Sequence, residues 1–448
     1  MTIQRIWTEW KKDDLIQRVI RNSGYLFSSN TISMVIFTAQ SILIARLLGA
    51  YGVGIVTAVT KFSSSISRLF SFRMGELVVK YVGQFLEQNK TNRAAAVLRA
   101  AALTEIATSI FTFIIVIMLA PLAAIYIAKD ATTATLFIFF GLSLLANLTT
   151  QTSTAILQVG NKFNLIAVVN LVQTILTASI IGYAFLIEGD IWHVIMAYFV
   201  GKTFNGLALF ILSLSQSRRL LGAGWWRVPW EKSIGSKEFW RFALSSNFSA
   251  TVNQVARDSE ELWIAYFLSP FEAGFYKTAL SVINLVLLPI DPFISTTYPE
   301  ISSQAGKGEW PKLRDLLKKV TTISGAWTIS VSLFLLIFGW WLIPFVYGAE
   351  FAPTTPVALV LLIGFGFANI FYWNRPLLLA LGLPTYPLKV SALAGAAKVI
   401  LSFLLVPTLG YLAQAGLLSA FFLVTVGLNI WRGSKEIDRM EATEGAAR

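Results

Sequence analysis

The chain has 448 residues, 55% hydrophobic and only 13% charged, which excludes a soluble globular domain. It holds no cysteine and one histidine, His193, which excludes disulfides, thiolate metal sites, cysteine nucleophiles and multi-histidine metal centres. The net charge of +12 does not point to nucleic acid, because the basic residues fall in alternate loops, as membrane topology demands.

Residues 1–23 interleave Arg5, Lys11, Lys12, Arg18 and Arg21 with Trp7, Trp10, Ile16 and Ile20, and read as a cytoplasmic interfacial segment. Apolar stretches long enough to cross about 30 Å of hydrocarbon as helices then recur to Trp431. The alternating strands of an outer-membrane barrel are absent from the pattern. Six spans are expected at 24–48, 52–72, 96–127, 134–156, 163–187 and 191–214, forming an N-terminal lobe over 24–214. Residues 215–238, with Trp225, Trp226 and Trp230, read as a cytoplasmic linker. Six more spans, at 239–268, 271–298, 320–347, 354–380, 388–407 and 412–431, form a C-terminal lobe over 239–431, and 432–448 is a cytoplasmic tail. The expected fold class is an all-α membrane protein of about twelve transmembrane helices in two six-helix lobes.

Loop charge supports that count. Lys80, Lys90 and Arg93, then Lys162, then Arg218, Arg219, Arg227 and Lys232, then Lys307 to Lys319, then Lys389 occupy successive loops on one side. The opposite loops hold Lys129 beside Asp130, Glu188, Asp190, Glu272 and Glu350. Both termini are therefore expected in the cytoplasm.

The two halves echo one another. ARLLGAYGVGIVTAV from Ala45 answers AYFLSPFEAGFYKTA from Ala265, Ser28–Asn30 answers Ser245–Asn247, and LQVGNKFNLIAVVNL from Leu157 answers LALGLPTYPLKVSAL from Leu379. The offsets are 220, 217 and 222 residues, the mark of a duplicated half.

Ionisable groups inside spans are costly and belong on an interior face or in water. Lys61, Ser64, Ser65 and Arg68 share one helix face, and neither cation has an acidic partner within a turn of its own helix. Lys277, Ser281, Asn284 and Asp291 make a second stripe, and Asn253, Arg257, Asp258, Glu260 and Glu261 a third. Arg257 has two readings, a cation facing a cavity or an internal pair with Glu260 or Glu261. Gln40, Asn147, Gln151 and Asn284 are expected to face sugar hydroxyls, with interhelical hydrogen bonding as the alternative. Lys202 and Lys398 lie deep in the sixth and eleventh spans. An excess of cations on a wet cavity implies an anionic solute, and phosphate suits Arg as a fork and Lys as a point charge.

Several blocks carry a family resemblance: ARLLGAYGVG at 45–54, LSPFEAGFYKTA at 268–279, YPEISSQAGKGEWPKLRDLL at 298–317, FVYGAEFAPT at 345–354, and the run 379–416. In order and spacing they resemble the polysaccharide-exporter branch of the multidrug/oligosaccharidyl-lipid/polysaccharide flippase superfamily. The resemblance implies a V-shaped pair of lobes moving a lipid-linked oligosaccharide across the inner membrane by alternating access. Arg68 lies where related lipid II flippases carry a cation late in the second span. Their charged first-span positions fall on Met34 and Gln40, which argues against lipid II as the cargo.

The sequence reading is thus a non-enzymatic flippase for a polyprenyl-pyrophosphate-linked oligosaccharide, such as an O-antigen or exopolysaccharide repeat unit. Lys61, Arg68, Arg257 and Lys277 would hold the phosphates. Asp258, Glu260, Glu261 and Asp291 are the coupling or cavity acids, with H+ or Na+ as coupling ion and no other cofactor or metal. Expected partners are the lipid-linked oligosaccharide, membrane lipids, and the glycan polymerase and glycosyltransferases of the same pathway. The alternatives are a cation-coupled multidrug exporter and a membrane glycosyltransferase or ligase. A major-facilitator transporter is disfavoured, because RMGELVVKYVGQF at 73–85 lacks its second-to-third loop motif.

Overall fold

The computed structural model describes residues 14–71, 73–228, 251 and 254–447, and every regular element among them is helical. The first half holds α1 (Asp14–Phe70), α2 (Met74–Glu87), α3 (Thr91–Tyr126), α4 (Ala134–Gly141), α5 (Ser143–Ala146), α6 (Thr150–Val159), α7 (Phe163–Leu186) and α8 (Ile191–Leu221). The second holds α9 (Glu260–Phe267), α10 (Pro270–Leu287), α11 (Asp291–Gly306), α12 (Trp310–Tyr347), α13 (Thr354–Ile370), α14 (Asn374–Ala380), α15 (Thr385–Leu409) and α16 (Tyr411–Ala447). The expected interfacial segment lies outside the described residues up to position 13, as does the linker beyond Val228.

Nine of the described stretches are long and apolar enough to span a bilayer. One of them, Ser28–Phe70, is two crossings, because Gly49 at φ 64° and ψ −175° breaks the helix in a conformation that a Cβ would strain. The first part of the expected seventh span, 239–250 with 252–253, lies outside the described residues. The eighth is α10 continued by α11, and it carries Glu272, Lys277 and Asp291. Among the described residues these pieces account for eleven of the twelve crossings expected. The protein is an all-α, multi-pass membrane protein. Its outward faces fit that class: Met118, Leu186 and Leu393 are 72%, 81% and 75% exposed, and only 22% of the apolar stretch of α3 is buried. Hydrocarbon solvates such faces, whereas water would drive them to aggregate.

Contacts divide the chain into two compact units. The first comprises Met1–Gln40, Ile66–Pro121 and Thr135–Phe248, and the second Ser41–Ser65, Leu122–Ala134 and Ser249–Arg448. The division does not follow a cut near residue 214, because the tip of the first helical hairpin and the turn after α3 belong with the later residues.

Each unit repeats one local plan. In the first, α2 buries Met74, Leu77, Val78 and Val82 against the start of α3 and the end of α6. In the second, Ile301 of α11 packs with Trp310 and Leu313 at the start of α12 and Leu377 of α14. A helix after the second crossing, the head of a long span and the end of a broken one thus recur at nearly the offset of the sequence echoes.

Inside the second unit the duplication becomes a reciprocal contact. A methyl group built on Gly54 would collide with the carbonyl oxygen of Pro270, and one on Gly274 would collide with that of Ala50. Residues 54 and 274, and 50 and 270, are the pairs the sequence offset equates. Two cationic seals repeat the relation. Arg46 donates to the carbonyls of Phe345 and Val346 at 2.5 and 2.7 Å, and Lys129 donates to that of Tyr266 at 2.8 Å. Arg46 thus ties its helix end to the backbone at 345–346. His193 also has a structural role, since it and Asp190 form a capping box at the start of α8.

Candidate functional site

The charged centre of the second unit starts from a backbone irregularity. Residues Gln254–Asp258 make a π-turn ahead of α9, which displaces the hydrogen-bond register and leaves carbonyls to be claimed by side chains. Two lysines from distant parts of the chain claim them. Lys398 of α15 donates to the carbonyl of Ala256 at 2.6 Å and pairs with the carboxylate of Glu260. Lys61 of α1 lies 3.5 Å from the carbonyl of Asp258 and 3.0 Å from Glu261.

Glu260 is wholly buried, and its second oxygen accepts from Gln414 at 2.6 Å and from the Tyr276 hydroxyl at 3.2 Å. Gln414 and Tyr276 are themselves fully buried, and Lys398 is only 2% exposed. A carboxylate so enclosed is tolerable only because one cation and two neutral donors surround it. Lys277 of α10, half-buried, interacts electrostatically with both Glu261 and Lys61. Two glutamates and three lysines thus converge from α1, α9, α10 and α15.

This arrangement corrects two expectations. Lys61 is not an unpaired cation, since its partner comes from a helix about 200 residues away. Arg257 pairs with neither Glu260 nor Glu261. Its Nε lies 3.4 Å from Asp258, because the π-turn breaks the 3.6-residue periodicity on which an i,i+3 or i,i+4 pair depends. Both glutamates are already taken by lysines.

The remaining expected residues scatter. Arg68 belongs to the first unit, exposed in the last turn of α1 and within electrostatic reach of Lys202. Lys202 in turn lies 5.3 Å from the centre of the Phe140 ring. Gln40 is buried and donates to the carbonyl of Thr174 at 2.9 Å. Asn147 donates to the carbonyls of Ser143 and Lys202, and Gln151 to the Ser71 hydroxyl at 2.6 Å. These three side chains are engaged in holding helices together, while Asn284 is exposed. The side chain of Asp291 lies outside the described residues, as does Asn253. Among the described residues no cluster of His, Asp or Glu is arranged to hold a metal ion.

Sequence reasoning missed Glu105. The fourth crossing is broken between α5 and α6, and the new helix start exposes backbone donors inside the unit. Buried Glu105 of α3 accepts from the amides of Gln151 and Thr152 at 2.8 and 2.9 Å. Its occurrence in an apolar span was the signal. Glu105→Ala strands both donors and is expected to cost about 3 kcal/mol, with Glu105→Gln losing less, read as a fall in unfolding midpoint of the detergent-solubilised protein.

A cavity of about 290 Å³ also opens within the second unit, lined by Arg257, Arg375, Asn374, Asn429, Ser391 and Phe422 among others. Arg375 was a second omission, a cation within the expected tenth span.

Residues 75–356, more than half of the chain, match the family described as polysaccharide biosynthesis protein. The chain belongs to that family. The match agrees with the resemblance carried by the sequence blocks. The chain is 23% identical over 343 residues to inner membrane protein YghQ of Escherichia coli (strain K12), across 76% of its own length and 96% of that protein. Its fold is shared with an inward-facing multidrug resistance MATE family transporter of the MOP superfamily (TM-score 0.71, 12% identity, 92% and 96% of the two chains). It is shared equally with lipid II flippase MurJ in an inward closed conformation (TM-score 0.71, 14% identity, 93% and 90% coverage). At those identities the likeness concerns the fold. The chain therefore has the fold that these two transporters share.

Proposed function

We propose that the protein is a flippase that carries a polyprenyl-pyrophosphate-linked oligosaccharide from the cytoplasmic to the outer leaflet of the inner membrane. Both termini face the cytoplasm, and transport rather than bond-making is its task. The observation that supports this reading is membership of a polysaccharide biosynthesis family on a fold that a lipid II flippase also has. Lys61, Arg257 and Lys277 in the second unit, and separately Arg68 in the first, are the proposed phosphate ligands.

Lys61 links cargo to a coupling cation. An anionic headgroup that draws Lys61 away takes from Glu261, 2% exposed, one of its two cationic neighbours and leaves only Lys277. A proton or Na+ arriving at Glu261 restores neutrality, so anion binding and cation uptake reinforce one another. Glu260 takes no part in this exchange, because Lys398, Gln414 and Tyr276 already saturate it. A pathway polymerase and glycosyltransferases would act before and after the flip.

The test is flipping of defined lipid-linked oligosaccharides in proteoliposomes under an imposed pH or sodium gradient. Lys61→Ala combined with Glu261→Gln, which removes the pair without leaving a buried charge, is expected to lower flipping at least tenfold. Glu261→Gln alone is expected to flip without responding to the gradient. Undiminished flipping in the double variant would remove Lys61 from the site, and drug extrusion without any oligosaccharide flipping would favour an exporter.

A further inference from the structure

The cavity in the second unit has a ligand logic separate from the lysine–glutamate cluster. Arg257 reaches it from the π-turn and Arg375 from the first turn of α14. Arg257 uses only Nε on Asp258, so its two terminal nitrogens have no partner among the described residues. Its guanidinium lies 5.9 Å from the centre of the Phe422 ring, which also lines the cavity. Arg375 is exposed, and no carboxylate among the described residues pairs with it. Asp258 is the acid in contact with this pair of cations, through Arg257. Two guanidinium forks on one small cavity suit the several oxygens of a tetrahedral phosphate group better than a carboxylate.

A second, independent observation comes from the amides. Asn374 donates from Nδ2 to the carbonyl of Phe371 at 2.8 Å, which turns its Oδ1 toward Asn429. Asn429 donates to that oxygen at 2.9 Å, and this fixes which end of Asn429 is its carbonyl. The Asn429 Oδ1 is left buried with no donor among the described residues, and the residue, 5% exposed, lines the same cavity. A buried acceptor without a donor is costly, and a ligand hydroxyl would satisfy it.

We infer that this cavity binds a phosphate ester bearing a hydroxyl nearby, a sugar or polyol phosphate headgroup, with Arg257 and Arg375 on the phosphate and the Asn429 carbonyl accepting from the hydroxyl. Its volume, near the lower edge of small-molecule pockets, admits one phosphorylated ring and not a polymer. Three sources share that chemistry: the phosphorylated end of a lipid-linked glycan, a free sugar phosphate, and a phospholipid such as phosphatidylglycerol. The first rests on the flippase reading. The site itself does not.

The experiment is binding to the full chain in nanodiscs of zwitterionic lipid, with three probes: polyprenyl-pyrophosphoryl hexose, hexose 1-phosphate and phosphatidylglycerol. At least one is expected to bind, with Arg375→Ala and Arg257→Ala each weakening it tenfold or more and Arg375→Lys weakening it less. Asn429→Ala is expected to weaken the hydroxylated probe severalfold and to leave the corresponding phosphate without the hydroxyl unchanged. Unfolding midpoints of the variants identify any that lose binding through misfolding, and Arg375→Lys then carries the comparison. Binding of the polyprenyl probe alone assigns the cargo to the cavity. Binding of either other probe upholds the site and separates it from the flippase reading. Equal affinity of wild type and both alanine variants for every probe, or no binding at all, overturns the proposal.

Discussion

Lys398→Ala is expected to destabilise the protein by about 3–5 kcal/mol, read as a large fall in unfolding midpoint and in folded yield from membranes. The reason is what remains rather than what is removed. Glu260 is fully buried, and the alanine leaves its charge with only the neutral donors Gln414 and Tyr276. The carbonyl of Ala256, freed by the π-turn, also loses its donor. Neutralising both partners tests the account: Lys398→Met with Glu260→Gln is expected to recover most of the loss, because the neutral amide keeps hydrogen bonds without a charge to bury. A double variant as unstable as Lys398→Ala would show that packing of the lysine stem, and not charge, holds the site.

Gly54→Val and Gly274→Val are expected to damage the protein by similar amounts, a loss of about 1–3 kcal/mol or more each, because each drives a side chain into a backbone carbonyl that has no rotamer to yield. The contacts are reciprocal, Gly54 against Pro270 and Gly274 against Ala50, so the effects should match. They should also be less than additive, since one intrusion already separates the chains the other would separate. The Tyr51 and Phe271 rings meet beside these contacts, with centroids 5.3 Å apart. Because the chain has no cysteine, Tyr51→Cys with Phe271→Cys gives an unambiguous cross-link by a short bifunctional thiol reagent, expected to fall when Gly54→Val is added. Unequal valine effects would mean that the sequence echo is not a structural symmetry at this point.

Much of the fold was legible because membrane insertion is itself a sequence-local test. A span must be apolar over its whole length, a loop must carry its charge on the permitted side, and both conditions are met residue by residue without reference to the rest of the chain. The break at Gly49 could be read for the same local reason. The break of the fourth crossing could not, because an apolar window near Asn147 looks continuous until Glu105 arrives to satisfy the new helix start.

The chemistry of the charged residues was legible only in kind. That Lys61, Glu260, Glu261, Lys277 and Lys398 must avoid lipid followed from their composition and depth. Who answers whom did not. A pattern along one helix shows only neighbours one turn away, and the partners here lie far along the chain, Lys61 with Glu261 and Lys398 with Glu260. The π-turn that separates Arg257 from those glutamates carries no mark in the residues that form it. Class, spans and duplication were thus determined by the sequence, since each is a sum of local transfer free energies. Only the tertiary structure decided the pairing of charges, because a buried ion chooses its partner by proximity in space, and proximity is what folding supplies.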